Sequence, residues 1–120
     1  MDVKEANMVL ATVRMMIPRR SHDEALKILR SVAVQCRVHP GCLHCRIYKD
    51  VEEDVAVIYE ALWKSEEDLE YYLRSEGYNR LLLLMETALQ SPEVSFHTIS
   101  NSSGIEIVEK ARASGGRAGM

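Results

Sequence analysis

Four strand-length apolar runs, interleaved with serine-led amphipathic segments in the order β-α-β-β-α-β, predict an α+β fold for this chain of 120 residues. The runs are rich in β-branched and apolar residues and are closed by proline or acidic turns, as strands are. The segments between them start on a serine and repeat apolar residues every three or four positions, as docked helices do. A length of 120 residues, 47% hydrophobic and 28% charged, describes one globular domain. Such a domain buries roughly two-thirds of the surface its unfolded chain would expose.

The first run, 8–18, holds Val9, Leu10, Val13, Met15 and Ile17 and ends at Pro18, and it reads as a central, largely buried strand. Its one charge, Arg14, needs a partner or an exposed end. Ser21-x-x-Glu24 has the spacing of a capping box, in which serine accepts from a first-turn amide and glutamate reaches back. The helix that follows lines up Ala25, Ile28, Leu29, Val32 and Cys36 on one face, which docks on a sheet. His22, in its first turn, is expected at the surface. Pro40-Gly41 closes the helix, because proline cannot continue the hydrogen-bond ladder and glycine permits the turn.

The second strand, 42–50, alternates Leu43, Cys45 and Ile47 with His44, Arg46 and Tyr48. A polar connection, 51–54, is of hairpin length. The third strand, 55–63, is apolar on both faces except at Glu60, hence interior, and ends in the only tryptophan, Trp63. Ser65-x-x-Asp68 caps a short helix ending near Arg74, and Ser75 caps another with Tyr78, Leu81, Leu82, Met85, Ala88 and Leu89 on its apolar face. Tyr71 and Tyr72 point about 100° apart on the first of these, so one of them faces inward. After Ser91-Pro92 a fourth strand covers 94–100. Residues 104–109 read as a short strand or arm, and 111–120, small, basic and glycine-rich, are expected to be disordered. The domain is therefore 1–103 and the C-terminal arm 104–120.

Two right-handed split βαβ units in this order make a four-stranded antiparallel sheet with helices on one face, a ferredoxin-like plait. Each strand offers apolar residues to both sides, so the sheet's second face needs a cover, and a second copy of the chain supplies it most simply. A net charge of −3 gives no reason to bind nucleic acid or an anionic membrane. No apolar stretch approaches the roughly 20 residues of a membrane span. The N-terminus has no secretory pattern and the cysteines number three, so a cytoplasmic protein with reduced thiols is expected.

On these residues the chain resembles the antibiotic biosynthesis monooxygenase superfamily, over about 8–100. The resemblance is carried by Val38-His-Pro-Gly-Cys-Leu43 and by Glu60-Ala-Leu-Trp63 with Leu69, Tyr72 and Ser75 spaced behind it. It implies a dimeric α+β barrel, a homodimer with an apolar pocket between sheet and helices in each subunit. It also implies a choice of chemistries: cofactor-independent oxygenation of aromatic polyketides and quinols, haem degradation, or isomerisation of small phosphorylated sugars. Many members carry a histidine three residues before the serine that matches Ser75, where this chain has Tyr72. An imidazole near 6.5 exchanges protons at neutral pH, whereas a phenol near 10 serves as a hydrogen-bond donor. Haem degradation is set aside, since its signature needs a tryptophan in place of Tyr72 and a histidine in place of Leu82.

Among the candidate site residues, Cys42-x-x-Cys45 has a metal or redox spacing. Residues three apart on an extended strand point to opposite faces, however, so these thiols should diverge and serve as small buried hydrophobes. No metal is expected. His97 is in phase with Ser95 and Ile99; if that phase faces the helices, it enters a pocket with Tyr72, and otherwise it sits at a sheet edge or dimer seam. Trp63, its N–H bonded to a nearby carbonyl, shares a face with Tyr59, and both are candidates to wall the pocket. Arg14 and Glu60 are expected to pair across neighbouring strands, with Arg14 as an anion or carbonyl anchor in the functional alternative. Met8, Met15, Met16 and Met85 suit a soft apolar lining or ordinary core. No phosphate loop, dinucleotide fingerprint or Ser/His/Asp order is present, and no cofactor is expected.

The reading is a cofactor-independent monooxygenase for an aromatic, quinol-type small molecule. Tyr72 would orient the substrate, His97 would take a proton, and Trp63, Tyr59 and Arg14 would bind it. An isomerase of a small carbonyl compound and a non-enzymatic ligand-binding or structural dimer are the rivals.

Overall fold

A computed structural model describes residues 7–118. Residues 1–5, read for a leader, and the last two residues of the C-terminal arm lie outside the described residues. The elements run β1 (Met8–Met16), α1 (His22–Arg37), β2 (Cys42–Lys49), β3 (Ala56–Trp63), α2 (Glu66–Leu73), α3 (Glu76–Met85), β4 (Glu93–Ile99) and α4 (Ile105–Ala118). The four strands form one antiparallel sheet in the order β2-β3-β1-β4, the plait expected from the element order.

Register divides the sheet into two faces. Val9, Ala11, Val13 and Met15 of β1 stand opposite Trp63, Ala61, Tyr59 and Val57 of β3. This set is almost wholly buried under the helices with Leu29, Val32, Ala33 and Cys36 of α1 and Leu81 of α3. The helices are tied to each other where Arg80 donates to the Ser31 hydroxyl at 2.9 Å. Leu10, Thr12 and Arg14, opposite Leu62, Glu60 and Ile58, line the other face, where they are only half-buried. No helix among the described residues is long and apolar enough to cross a membrane.

Several local expectations are corrected. Ser21 ends a 3-10 turn, Arg19–Ser21, that runs directly into α1, so it lacks the extended backbone of a cap and its hydroxyl makes no capping bond. His22 is buried rather than exposed: its Nε2–H reaches back to the Ile17 carbonyl at 2.8 Å and ties the helix start to the end of β1. The α1 helix stops at Arg37, before Pro40-Gly41. No glycine among the described residues has a positive φ. Gly41 is small because a Cβ there would run into the Asp68 carboxyl group. On α3 the buried residues are Gly77, Leu81 and Leu84, while Leu82 lies on the exposed side of the helix and Leu89 falls beyond its end at Met85. Arg14 does not meet Glu60. Register sets Glu60 opposite Thr12, and Arg14 instead pairs with Asp50 at 3.2 Å and Glu93 at 3.7 Å.

The other caps hold. Ser65 accepts from the Asp68 amide at 3.1 Å and donates to its carboxylate at 2.8 Å, and Ser75 accepts from the Tyr78 amide at 3.3 Å. Beyond Gly104 the chain forms α4 rather than a short strand, because the Glu106 carboxylate accepts from the Gly104 amide at 2.8 Å and starts a helical turn. Residues 101–114 are exposed throughout.

Candidate active site

Between the sheet and α2/α3 lies a small apolar cavity of about 10 Å³, room for about one water molecule. Its sheet wall is Ala11, Val13, Tyr59, Ala61 and Trp63, and Tyr72, Leu73, Tyr78 and Leu81 close it from the helices. Phe96 of the edge strand forms the outer rim and is 46% exposed. No charged side chain belongs to this lining.

Three of the expected site residues, Tyr59, Trp63 and Tyr72, meet here. The hydroxyls of Tyr59 and Tyr72 lie 3.0 Å apart, both rings buried. Tyr72 stacks on Trp63, with centroids 4.8 Å apart and planes at 30°, and meets Tyr78 edge-on at 5.8 Å. Of the tyrosine pair on α2 only Tyr72 points inward, while Tyr71 is exposed and packs on His39 at 5.2 Å. His39 in turn stands edge-on to Trp63 at 5.2 Å, and its Nδ1 accepts from the Gly41 amide at 3.1 Å. Trp63 is completely buried, but its Nε1–H has no partner among the described residues, against the expected bond to a carbonyl.

The remaining candidates lie elsewhere. His97 pairs with Leu10 and therefore stands on the face away from the helices, while Phe96, in the opposite phase, reaches the cavity. Tyr72 and His97 are thus not brought together within the subunit. Arg14 occupies that same far face with its two carboxylate partners. None of the four candidate methionines lines the cavity: Met15 is core, Met85 packs against the core, and Met8 and Met16 belong to the open face. Sequence reasoning missed Phe96, although the alternation Val94, Phe96, Thr98 was the more apolar phase of β4.

It also missed what lies beneath Tyr59. β2 carries a bulge: Cys42 pairs with Trp63 and His44 with Leu62, so Leu43 has no partner of its own. The extra residue reverses the alternation. Cys42 and Cys45 both end up on the helix side, since their partners Trp63 and Ala61 share that face. The thiols therefore converge on Cys36 of α1, with the Cys36 and Cys42 sulfurs 3.6 Å apart. All three cysteines are unbridged. No group of three or more His, Cys, Asp or Glu among the described residues is arranged to hold a metal ion.

The electrostatics follow from burial and sharing of protons. Burial is the main cause that pushes the Tyr59 phenol up strongly and Tyr72 up as well, so both stay protonated at neutral pH and act as donors. Cys45 behaves oppositely. A hydrogen bond from Cys36 is the largest cause lowering its thiol to about 7, with further lowering from Tyr59 and the Arg37 guanidinium, against the cost of burial. Cys36 moves up by the same bond and by burial. The Tyr59 hydroxyl thus meets that of Tyr72 at 3.0 Å and lies near the Cys36 and Cys45 thiols.

Residues 8–81 match the family model described as antibiotic biosynthesis monooxygenase. Solved structures of similar fold include a conserved protein from Methanosarcina mazei Go1, at TM-score 0.73 and 16% identity over 80% of this chain and 96% of that one. Rv0793 from Mycobacterium tuberculosis aligns at TM-score 0.72 and 15% identity, over 81% of this chain and 99% of its own. PA3566 from Pseudomonas aeruginosa aligns at 0.70 and 15%, over 82% and 100%. Identities this low speak for the fold alone. No curated protein matches the chain.

Proposed function

Because the chain belongs to the antibiotic biosynthesis monooxygenase family, we propose that it is a cofactor-independent monooxygenase for an electron-rich aromatic, such as a hydroquinone or an anthrone-like phenol. The observation that carries this reading is the buried Tyr59–Tyr72 hydroxyl pair, 3.0 Å apart, on two rings that line an apolar and aromatic cavity. A dry, aromatic-walled site suits a flat aromatic ligand, which needs the cavity to widen beyond its about 10 Å³. The Tyr72 hydroxyl orients the substrate oxygen, and Trp63 and Tyr59 wall the ring.

In this reading ionisation of the substrate places carbanion character on a ring carbon, which reacts with O₂. A C–O bond forms, the resulting peroxide takes up a proton, and its O–O bond breaks with loss of water. One oxygen stays on the reacting carbon and the other leaves in that water, whose two hydrogens come from the reacting carbon of an anthrone, or from one ring carbon and one phenol group of a hydroquinone. The phenols themselves are too weakly acidic to be the base. Tyr72 accepts the substrate's proton as it passes its own to Tyr59, which passes one to the Cys45 thiolate. His97 and Arg14, on the opposite face, are given no part in this cavity.

We further assign the half-buried sheet face, with Leu10, Ile58, Leu62 and Met16, to a second copy of the chain, making a homodimer closed into an α+β barrel. The small volume of the cavity favours a second reading, a dimeric module that turns over no substrate. The absence of a cation from the lining weighs against an isomerase of phosphorylated compounds.

Oxygen uptake with a panel of hydroquinones and anthrones, without added cofactor, tests the assignment. Uptake that falls in Tyr72→Phe and Cys45→Ser but not in His97→Ala is the expected result. Uptake lost in His97→Ala alone would move the proton acceptor to the other face. No uptake on any substrate would leave the ligand-free dimeric module as the reading.

A further inference from the structure

We propose that Cys36, Cys42 and Cys45 form a peroxide-responsive thiol site, in which Cys45 is oxidised first and Cys36 closes a disulfide. The bulge in β2 is what assembles it, by turning Cys42 and Cys45 to the same side beneath the last turn of α1. Cys36 is the central thiol: its sulfur lies 3.6 Å from that of Cys42, and Cys45 is turned to the same side of the sheet. A disulfide has a sulfur–sulfur length of about 2.05 Å. Closing the Cys36–Cys42 gap from 3.6 Å is a matter of about 1.5 Å, side-chain rotation with a small shift of the helix end.

Access and activation come from the same side. An open groove lined by Arg37, Cys42, Leu43, His44, Cys45 and Arg46 leads to the cluster, wide enough for a molecule the size of hydrogen peroxide. The Arg37 Nε–H donates to the Cys45 carbonyl at 3.0 Å, which holds the guanidinium next to this thiol and favours its anion. Cys36 is entirely buried and keeps its proton, as a thiol held in reserve does.

The chemistry balances with hydrogen peroxide as the oxidant. The Cys45 thiolate attacks one peroxide oxygen, an S–O bond forms, the O–O bond breaks, and the departing hydroxide takes a proton to become water. The Cys36 sulfur then attacks the sulfenic sulfur of Cys45. The S–S bond forms, the S–O bond breaks, and a second water leaves with the Cys36 proton. Cys42, next to Cys36, can receive the bridge by exchange, so the disulfide contains Cys36 in either form. Where the proposed proton path holds, the bridge removes the acceptor at its end, so oxidation of the cluster turns the cavity off. That consequence rests on the proposed function; the bridge itself does not.

The test is a titration of the purified full chain with hydrogen peroxide, followed by alkylation, intact mass and peptide mapping. The expected product has lost two hydrogens and keeps one alkylatable thiol of three, with Cys36 in the cross-linked peptide. In Cys36→Ser the bridge should be missing and Cys45 should carry one added oxygen, trapped by a sulfenate reagent; Cys36→Ala is the second variant if the serine disrupts folding. Cys45→Ser should slow bridge formation at least tenfold. Full alkylation of all three thiols after peroxide, a Cys42–Cys45 bridge in wild type, or an undiminished rate in Cys45→Ser would overturn the proposal. Because the readout is mass, its failure and that of the oxygenase reading are separate events.

Discussion

Tyr59 on β3 and Tyr72 on α2 touch hydroxyl to hydroxyl at 3.0 Å, across 13 positions of chain and inside an apolar wall. Each hydroxyl is the other's partner, and neither has a second side-chain partner among the described residues. That symmetry makes the two phenylalanine variants alike. Tyr59→Phe strands the Tyr72 hydroxyl and Tyr72→Phe strands that of Tyr59, so each should cost about 1–3 kcal/mol. Urea unfolding of both single variants and the double variant measures this. A double variant whose loss equals the sum would show that the hydroxyls are not coupled.

Two serines that look alike in sequence should behave differently. Ser65→Ala removes a cap that accepts at 3.1 Å and should cost about 0.5–2 kcal/mol. Ser21→Ala should change stability by less than about 0.5 kcal/mol, since Ser21 makes no capping bond. Thermal or urea midpoints of the two variants, side by side, decide it. Equal losses would mean that α1 is capped as its sequence pattern suggests.

Trp63 is the only tryptophan, is fully buried, and forms one wall of the cavity. Its emission should be blue-shifted in the native protein and quenched by an aromatic ligand that enters beside it. Trp63→Ala should cost about 3–5 kcal/mol through the void it leaves. A quinol analogue that binds by calorimetry without altering the emission would place the ligand elsewhere.

Cys45 carries a pH signature. Its alkylation rate should rise through about pH 7, well below the ordinary thiol value of 9.0. The sign of the stability effect follows. The folded state favours the Cys45 anion, so this contribution is complete above 9.0 and is lost as the pH falls through about 7. Cys36 and Tyr59 move up on folding, so their contribution is present below their ordinary values and is lost at higher pH. Stability should therefore climb from pH 7 towards 9 and decline above it, and Cys45→Ser should flatten the climb. Urea midpoints across that range give the answer.

The sequence by itself determined the element order, the position of β3 inside the sheet, the caps at Ser65 and Ser75, and the inward turn of either Tyr71 or Tyr72. These are properties of a few neighbouring residues: apolar period, backbone propensity and side-chain bonds to nearby amides. It also set Tyr59 and Trp63 on one face of β3, because residues four apart on a strand share a side.

What only the tertiary structure decided was register. The phase of β4 against β1 sends Phe96 to the cavity and His97 to the far face, and a slip of one residue would exchange them. The pairing of β1 with β3 gives Arg14 to Asp50 and Glu93 instead of Glu60. One unpaired residue in β2 brings together thiols that regular alternation would hold apart. Register arises from the summed packing of two strands against the same helices, so no single strand's sequence contains it.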